Sequence, residues 1–307
     1  MALREQIDEE LRAFLAETNF TGAGALITDL DGTAVHEFEG RIVIPDPVAC
    51  GLKRLNDLGR PIVLNTLRFP LNVIRTFGRE WYSITNAPLP LVSLNGGVVG
   101  YLREDASGEI VFEELDAFPL EPLEIDEVLT GVRGLLANGV DDLLVFYYTR
   151  DWTLGETIWT PVREKIPHLQ TKYTSASSIV CLSLDDLRES LMAQDICMMF
   201  LLVDAPQDRL MAYQHVKRSN FATRKGVDKL FGVRAIADRL GVDLQASVGC
   251  GDTPMDSFLS GVGLAVHVGS RDLEYKGLLR TVKIESSQEL GELLVRLGGL
   301  ESEAMPQ

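Results

Sequence analysis

Ala25-Leu26-Ile27-Thr28-Asp29-Leu30-Asp31-Gly32-Thr33 is an apolar run that stops at two aspartates set one residue apart, followed by glycine and threonine. The apolar residues do not alternate with polar ones, the pattern of a parallel strand buried on both faces, and charge first appears where the run ends. Asp29 and Asp31 therefore stand at a strand's carboxyl end, where ligands bind in open α/β sheets. Side chains one residue apart leave an extended backbone on similar sides, so both carboxylates can approach one small group. Asp29 is placed to attack phosphorus and form an aspartyl-phosphate. Asp31 is placed to protonate the leaving oxygen and later to deprotonate the hydrolytic water. Gly32 permits a tight turn, and Thr33 can hydrogen-bond it shut. The plain alternative is a strand that ends in an ordinary Asp-Gly turn.

Outward from this run, strand and helix alternate. A charged amphipathic helix over residues 3–17 carries Ile7, Leu11, Phe14 and Leu15 on one face; it packs on the domain or, in a homodimer, on a second subunit. Asp46-Pro47 opens a helix that Gly59 stops, Pro61 to Asn65 reads as a second buried strand, and a helix begins near Pro70 with Leu71, Ile74 and Phe77 inward. A third strand, Pro90 to Leu94, ends at Asn95-Gly96-Gly97. The alternation predicts a doubly wound, Rossmann-like parallel sheet. From Val98 the texture changes to a second α/β unit, which includes a helix after Pro206. The first pattern resumes with a helix from Lys229 to Leu240, a strand ending at Gly249, and Gly251-Asp252. The expected division is a discontinuous core of residues 1–97 and 206–307, with residues 98–205 inserted.

The 307 residues are 46% hydrophobic, enough for a substantial core. Lys and Arg total 29 against 45 Asp and Glu, a net charge of -16, which opposes nonspecific binding to nucleic acid or anionic lipid. A phosphorylated ligand is repelled at long range, so a phosphate site must depend on a metal ion, a lysine or helix amino-termini. The four cysteines form no C-x-x-C pair, and the longest apolar run, Ile196 to Val203, is too short to span a bilayer. The expectation is a soluble cytoplasmic protein with no nucleic-acid or membrane partner.

Three further places suit phosphoryl chemistry at Asp29. Thr66 offers a hydroxyl and an N–H beside a helix start, although such a threonine also serves simply as a cap. Arg68 adds charge there or is a solvated loop arginine. Lys229 follows the N-cap Asp228, so a cation sits in the first helical turn, where the macrodipole disfavours it; Lys225 competes for the same role. In Gly251-Asp252-Thr253-Pro254-Met255-Asp256, Asp252 can join Asp29 in holding Mg²⁺, a hard cation that takes carboxylates, water and substrate oxygens. Asp256, three residues after Thr253, resembles a capping box for a helix starting at Pro254, and it can also steady Asp252 from behind.

Asp29-Leu30-Asp31-Gly32-Thr33, Thr66, Lys229 and Gly251-Asp252-(x)3-Asp256, in that order, resemble the four motifs of the haloacid dehalogenase (HAD) superfamily. The insertion is similar to the large α/β cap of the Cof-like sugar-phosphate phosphatase branch, and residues 227–241 also resemble that branch, which favours Lys229 over Lys225. The resemblance implies a Mg²⁺-dependent phosphomonoesterase acting on a small phosphorylated metabolite, a sugar phosphate. It implies that Asp29 is nucleophile and metal ligand, that Asp31 is general acid/base and a ligand through its main-chain carbonyl, that Thr66 and Lys229 bind the phosphoryl group, and that Asp252 completes the metal site. Arg68 and Asn95 are candidates for substrate contact. Leu67 stands where a glycine is usual, and Met255 where an asparagine is common. The same residues would also serve a phosphomutase or phosphotransferase, and a binding or regulatory module with little catalysis is the alternative from another class.

Overall fold

The computed structural model describes residues 2–38, 41–203 and 221–304. Its strands in the first half are β1 (Leu26–Thr28), β2 (His36–Phe38), β3 (Arg41–Val43), β4 (Ile62–Asn65), β5 (Leu89–Ser93), β6 (Val98–Glu104) and β7 (Ile110–Ala117). Then follow β8 (Leu143–Thr149), β9 (Glu156–Trp159), β10 (Ala176–Val180), β11 (Ile196–Val203), β12 (Phe221–Ala222), β13 (Val248–Gly251), β14 (Leu264–Val268) and β15 (Arg280–Ile284). The larger sheet has the order β15-β14-β13-β1-β4-β5-β6-β7, parallel from β15 to β5 and antiparallel at the β6 and β7 edge. Every residue of β1, β4, β5, β13 and β14 is buried, as continuous apolar runs require when helices cover both faces.

The ladders correct the expected division at residue 98. Strands β6 and β7 extend the larger sheet, so the chain leaves it only after Ala117. Beyond that point a second sheet forms in the order β10-β9-β8-β11-β12, with helices Pro122–Ala137 and Leu184–Met192 on one face. The helix expected after Pro206 lies outside the described residues. Between β4 and β5 the expected helix is interrupted: Pro70–Val73 is followed by a π-helical turn, Ile74–Gly78, and then by Arg79–Thr85. The wider turn shifts the inward face, so Val73, Phe77 and Trp81 are fully packed while Leu71 and Ile74 are only partly buried. Helix Ala2–Glu17 lies against the C-terminal helix Ser287–Ala304 of the same chain, held by Leu11 and Phe14 and by an Asp8–Arg296 ion pair. Among the described residues no helix is long and apolar enough to cross a membrane.

Candidate active site

Parallel pairing of β1 with β4 and with β13 brings three loops together at one end of the sheet, and these loops carry Asp29, Thr66 and Asp252. Lys229 arrives from the first turn of the helix Lys229–Leu240, capped by Asp228, whose carboxylate accepts the Phe231 N–H at 2.8 Å. The ammonium is buried, 1% exposed, and lies 2.7 Å from Asp29 Oδ1 and 2.7 Å from Asp256 Oδ1. Burial alone would lower the lysine's pKa, but the two carboxylates outweigh it and raise it. That answers the cost of a cation at a helix amino-terminus. Lys225 is exposed, and its backbone N–H donates to Glu124.

Asp256 closes the loop rather than capping a helix. Its Oδ2 accepts the N–H groups of Asp252 (2.9 Å) and Thr253 (2.8 Å) while Oδ1 faces Lys229. Residues 253–256 form a turn, and only a 3₁₀ segment, Ser257–Gly261, follows, so the expected helix from Pro254 is absent. Asp252 accepts the Thr33 hydroxyl at 2.9 Å. Gly32, at φ 78°, lets the backbone pass so close that a Cβ would stand 2.4 Å from Asp252 Oδ2.

Asp29, Asp252 and Asp256 lie together with one ammonium among them. Burial, Asp256 and Asp252 push Asp29 well above the usual carboxylate range, against the pull of Lys229. Asp252 is pushed up to about 6, chiefly by burial and Asp256. Three clustered carboxylates against one cation are a donor set that a divalent ion balances.

Asp31 and Thr66 line the same small hollow as Asp29, Lys229, Leu67 and Met255. The Thr66 N–H is spent on the ladder, donating to Val92 O at 2.9 Å, so the backbone half of the expected phosphate cradle is not available. Its hydroxyl oxygen accepts the Arg68 N–H at 3.1 Å. Arg68 grips Asp31 with a two-pronged fork, Nε to Oδ2 and Nη2 to Oδ1, both at 2.7 Å. Asn72 Oδ1 and the Phe77 ring support the guanidinium. Sequence reasoning offered Arg68 as a charge for substrate and missed this pairing. Asn95 adopts a left-handed conformation, φ 57°, and its N–H bonds Thr66 O at 3.3 Å; its side chain lines neither the hollow nor the cavity beyond it. The turn at Asn95 braces Thr66.

No family model matches the sequence, and no curated protein matches it. Solved structures do. A phosphatase of the HAD superfamily from Bacteroides thetaiotaomicron superposes with a TM-score of 0.61 at 16% identity, covering 91% of this chain and 96% of that one. The chain has the fold shared by these HAD-superfamily structures. A sugar phosphatase of HAD subclass IIB gives a TM-score of 0.59 at 15% identity, covering 88% of this chain and 96% of that one. A haloacid dehalogenase-like hydrolase from B. subtilis gives 0.59 at 16% identity, with 88% and 98% covered. In this fold the aspartates that follow β1 and the Asp252 loop that follows β13 lie side by side at the end of the β1–β13 ladder.

Proposed function

We propose that this protein is a Mg²⁺-dependent phosphomonoesterase acting on a small phosphorylated metabolite, with the described residues 118–203 and 221–222 as a cap over the site. The observation that carries the reading is Lys229, buried at a strand-end carboxylate cluster and bridging Asp29 to Asp256. Asp29, Asp252 and the Asp31 main-chain carbonyl would hold the ion. Mg²⁺, when bound, supplies positive charge that offsets charge building on the phosphoryl oxygens. Asp29 displaces the alcohol in line: an oxygen–phosphorus bond forms, the ester bond breaks, and Asp31 gives its proton to the departing oxygen. Water then attacks the aspartyl-phosphate, Asp31 takes a proton from it, and phosphate leaves with Asp29 restored. Lys229 and the Thr66 hydroxyl orient the phosphoryl group, and Asp256 keeps Lys229 and Asp252 in place.

Because the Arg68 fork occupies both Asp31 oxygens, Asp31 must be released before it can move a proton. The substrate phosphoryl group is the anion that competes for the guanidinium. The HAD fold, with its phosphatase neighbours, supports hydrolysis over an unrelated chemistry. Phosphate release with Mg²⁺ or with chelator, for wild type and Asp29→Asn side by side, tests the reading. Turnover is expected to need the ion and to fall at least about 10³-fold in the variant. Full activity in Asp29→Asn would rule out the mechanism.

A further inference from the structure

Beyond Asp31 the hollow gives onto a larger cavity of about 150 Å³ between the two sheets. Asp31 and Leu67 belong to both walls, so whatever is esterified to a phosphate in the hollow extends into this space. Strand alternation decides what it meets. Along β8 and β11, Tyr148, Met198 and Phe200 turn toward the cavity while Tyr147 and Met199 turn to the helices behind. Phe221, paired with Phe200 across the β11–β12 ladder, stacks against it with centroids 5.2 Å apart. From the larger sheet's side, Phe69 meets Tyr148 at 5.5 Å. Leu67, where the resembling motif has glycine, adds an isobutyl group at the neck.

We propose that the ester this site takes is an arylmethyl phosphate, a single aromatic ring one carbon from the ester oxygen, in preference to a sugar phosphate. The inference rests on the phosphomonoesterase reading and narrows it. A cavity of about 150 Å³ is the size that holds one benzene ring. Aromatic walls favour a flat ring by edge and offset contacts. A sugar ring would bring several hydroxyls against Phe69, Phe200, Met198 and Leu67, which offer them no partners. The polar side chains of the lining are Asp31, Arg68, Asn72 and Arg75 on the larger sheet's side and Tyr148, Glu156, Tyr173 and Ser175 on the smaller sheet's side; Arg68 is engaged by Asp31 and Asn72, and Glu156 by the Tyr148 hydroxyl. Glu156 is raised by burial, opposed by the hydrogen bond it accepts from Tyr148, and one donor on the ring's far edge suits it.

Benzyl phosphate, ethyl phosphate and glucose 6-phosphate are all esters of primary alcohols, so their intrinsic leaving-group strengths are similar. With Mg²⁺, kcat/KM for benzyl phosphate is expected to exceed both others by at least about tenfold. Leu67→Gly and Tyr148→Ala are each expected to shrink that ratio to about threefold or less. Glucose 6-phosphate turned over as well as benzyl phosphate would overturn the proposal while leaving the phosphomonoesterase reading intact. If no ester is hydrolysed, calorimetry with benzylphosphonate and ethylphosphonate still decides. Tighter binding of the benzyl compound by about tenfold sustains the ring site without the catalysis, and equal affinities refute it.

Discussion

At Asp252, burial and the Asp256 carboxylate raise the pKa to about 6, and the Thr33 hydroxyl and Lys229 only partly offset them. A carboxyl whose folded-state pKa lies above its unfolded value is favoured by folding when protonated. Without a cation, its contribution to stability is therefore lost as pH rises from about 4 through about 6. Asp252→Asn keeps the shape and removes the titration. In chelator the variant should be more stable than wild type at pH 7 by up to about 3 kcal/mol, with the difference vanishing toward pH 4. Denaturant titrations at the two pH values measure it; a difference independent of pH would mean that Asp252 is not strained by its neighbours. With Mg²⁺ the order should reverse at pH 7, because only the wild type gains from the ion. Arg68 shows the limit of the sequence at this scale. Its fork on Asp31 joins residues 37 positions apart and exists only because β1 and β4 are neighbours.

Among the elements, those whose patterns follow directly from burial were legible. The helix Lys229–Leu240 begins at a capping aspartate and ends at Gly241, φ 67°, as the composition of its ends predicts, and β14 matches its apolar run residue for residue. Strands β6 and β7 were misassigned because they form the half-exposed antiparallel edge. Their burial fades toward the ends and charged residues enter, which reads as a change of texture, although the sheet continues without a break. The turn at 253–256 was misread because a Thr-Pro-x-Asp pattern serves both a helix start and a closed loop. Lys229 and the two backbone amides draw Asp256 to the second use. Gly32 is where the β1 loop gives way to the Asp252 loop. Gly32→Ala combines a left-handed φ with a Cβ inside the carboxylate's contact distance, so Asp252 must move. Mg²⁺ affinity measured by calorimetry should fall by about tenfold or more while the far-ultraviolet circular dichroism is unchanged. Unaltered affinity would show that Asp252 does not depend on this close approach.

Across the whole molecule, one buried ion pair ties the start of β4 to the C-terminal helix. Arg60 Nε lies 3.2 Å from Glu301 Oε1, with the glutamate fully buried, and the guanidinium also donates to Phe20 O and Leu58 O. Burial raises the Glu301 pKa and Arg60 opposes it. Arg60→Leu leaves that acid without its cation and should lower the unfolding free energy by about 3 kcal/mol. Adding Glu301→Leu should restore most of the loss, and a double variant as unstable as the single one would place the cost elsewhere.

Among the described residues the two sheets share no ladder: strands β8 to β12 pair only with one another, and the chain departs after β7 and returns before Lys229. Where it departs and where it returns are already fastened, Glu121 to Arg224 by an ion pair and Glu124 to the Lys225 amide by a hydrogen bond. The described part of this second sheet is a detour whose two mouths touch. Lengthening, trimming or exchanging that detour should leave the register of all eight strands of the larger sheet as it was, and under the proposed phosphomonoesterase reading the choice of ester could then diverge while the aspartates stay put.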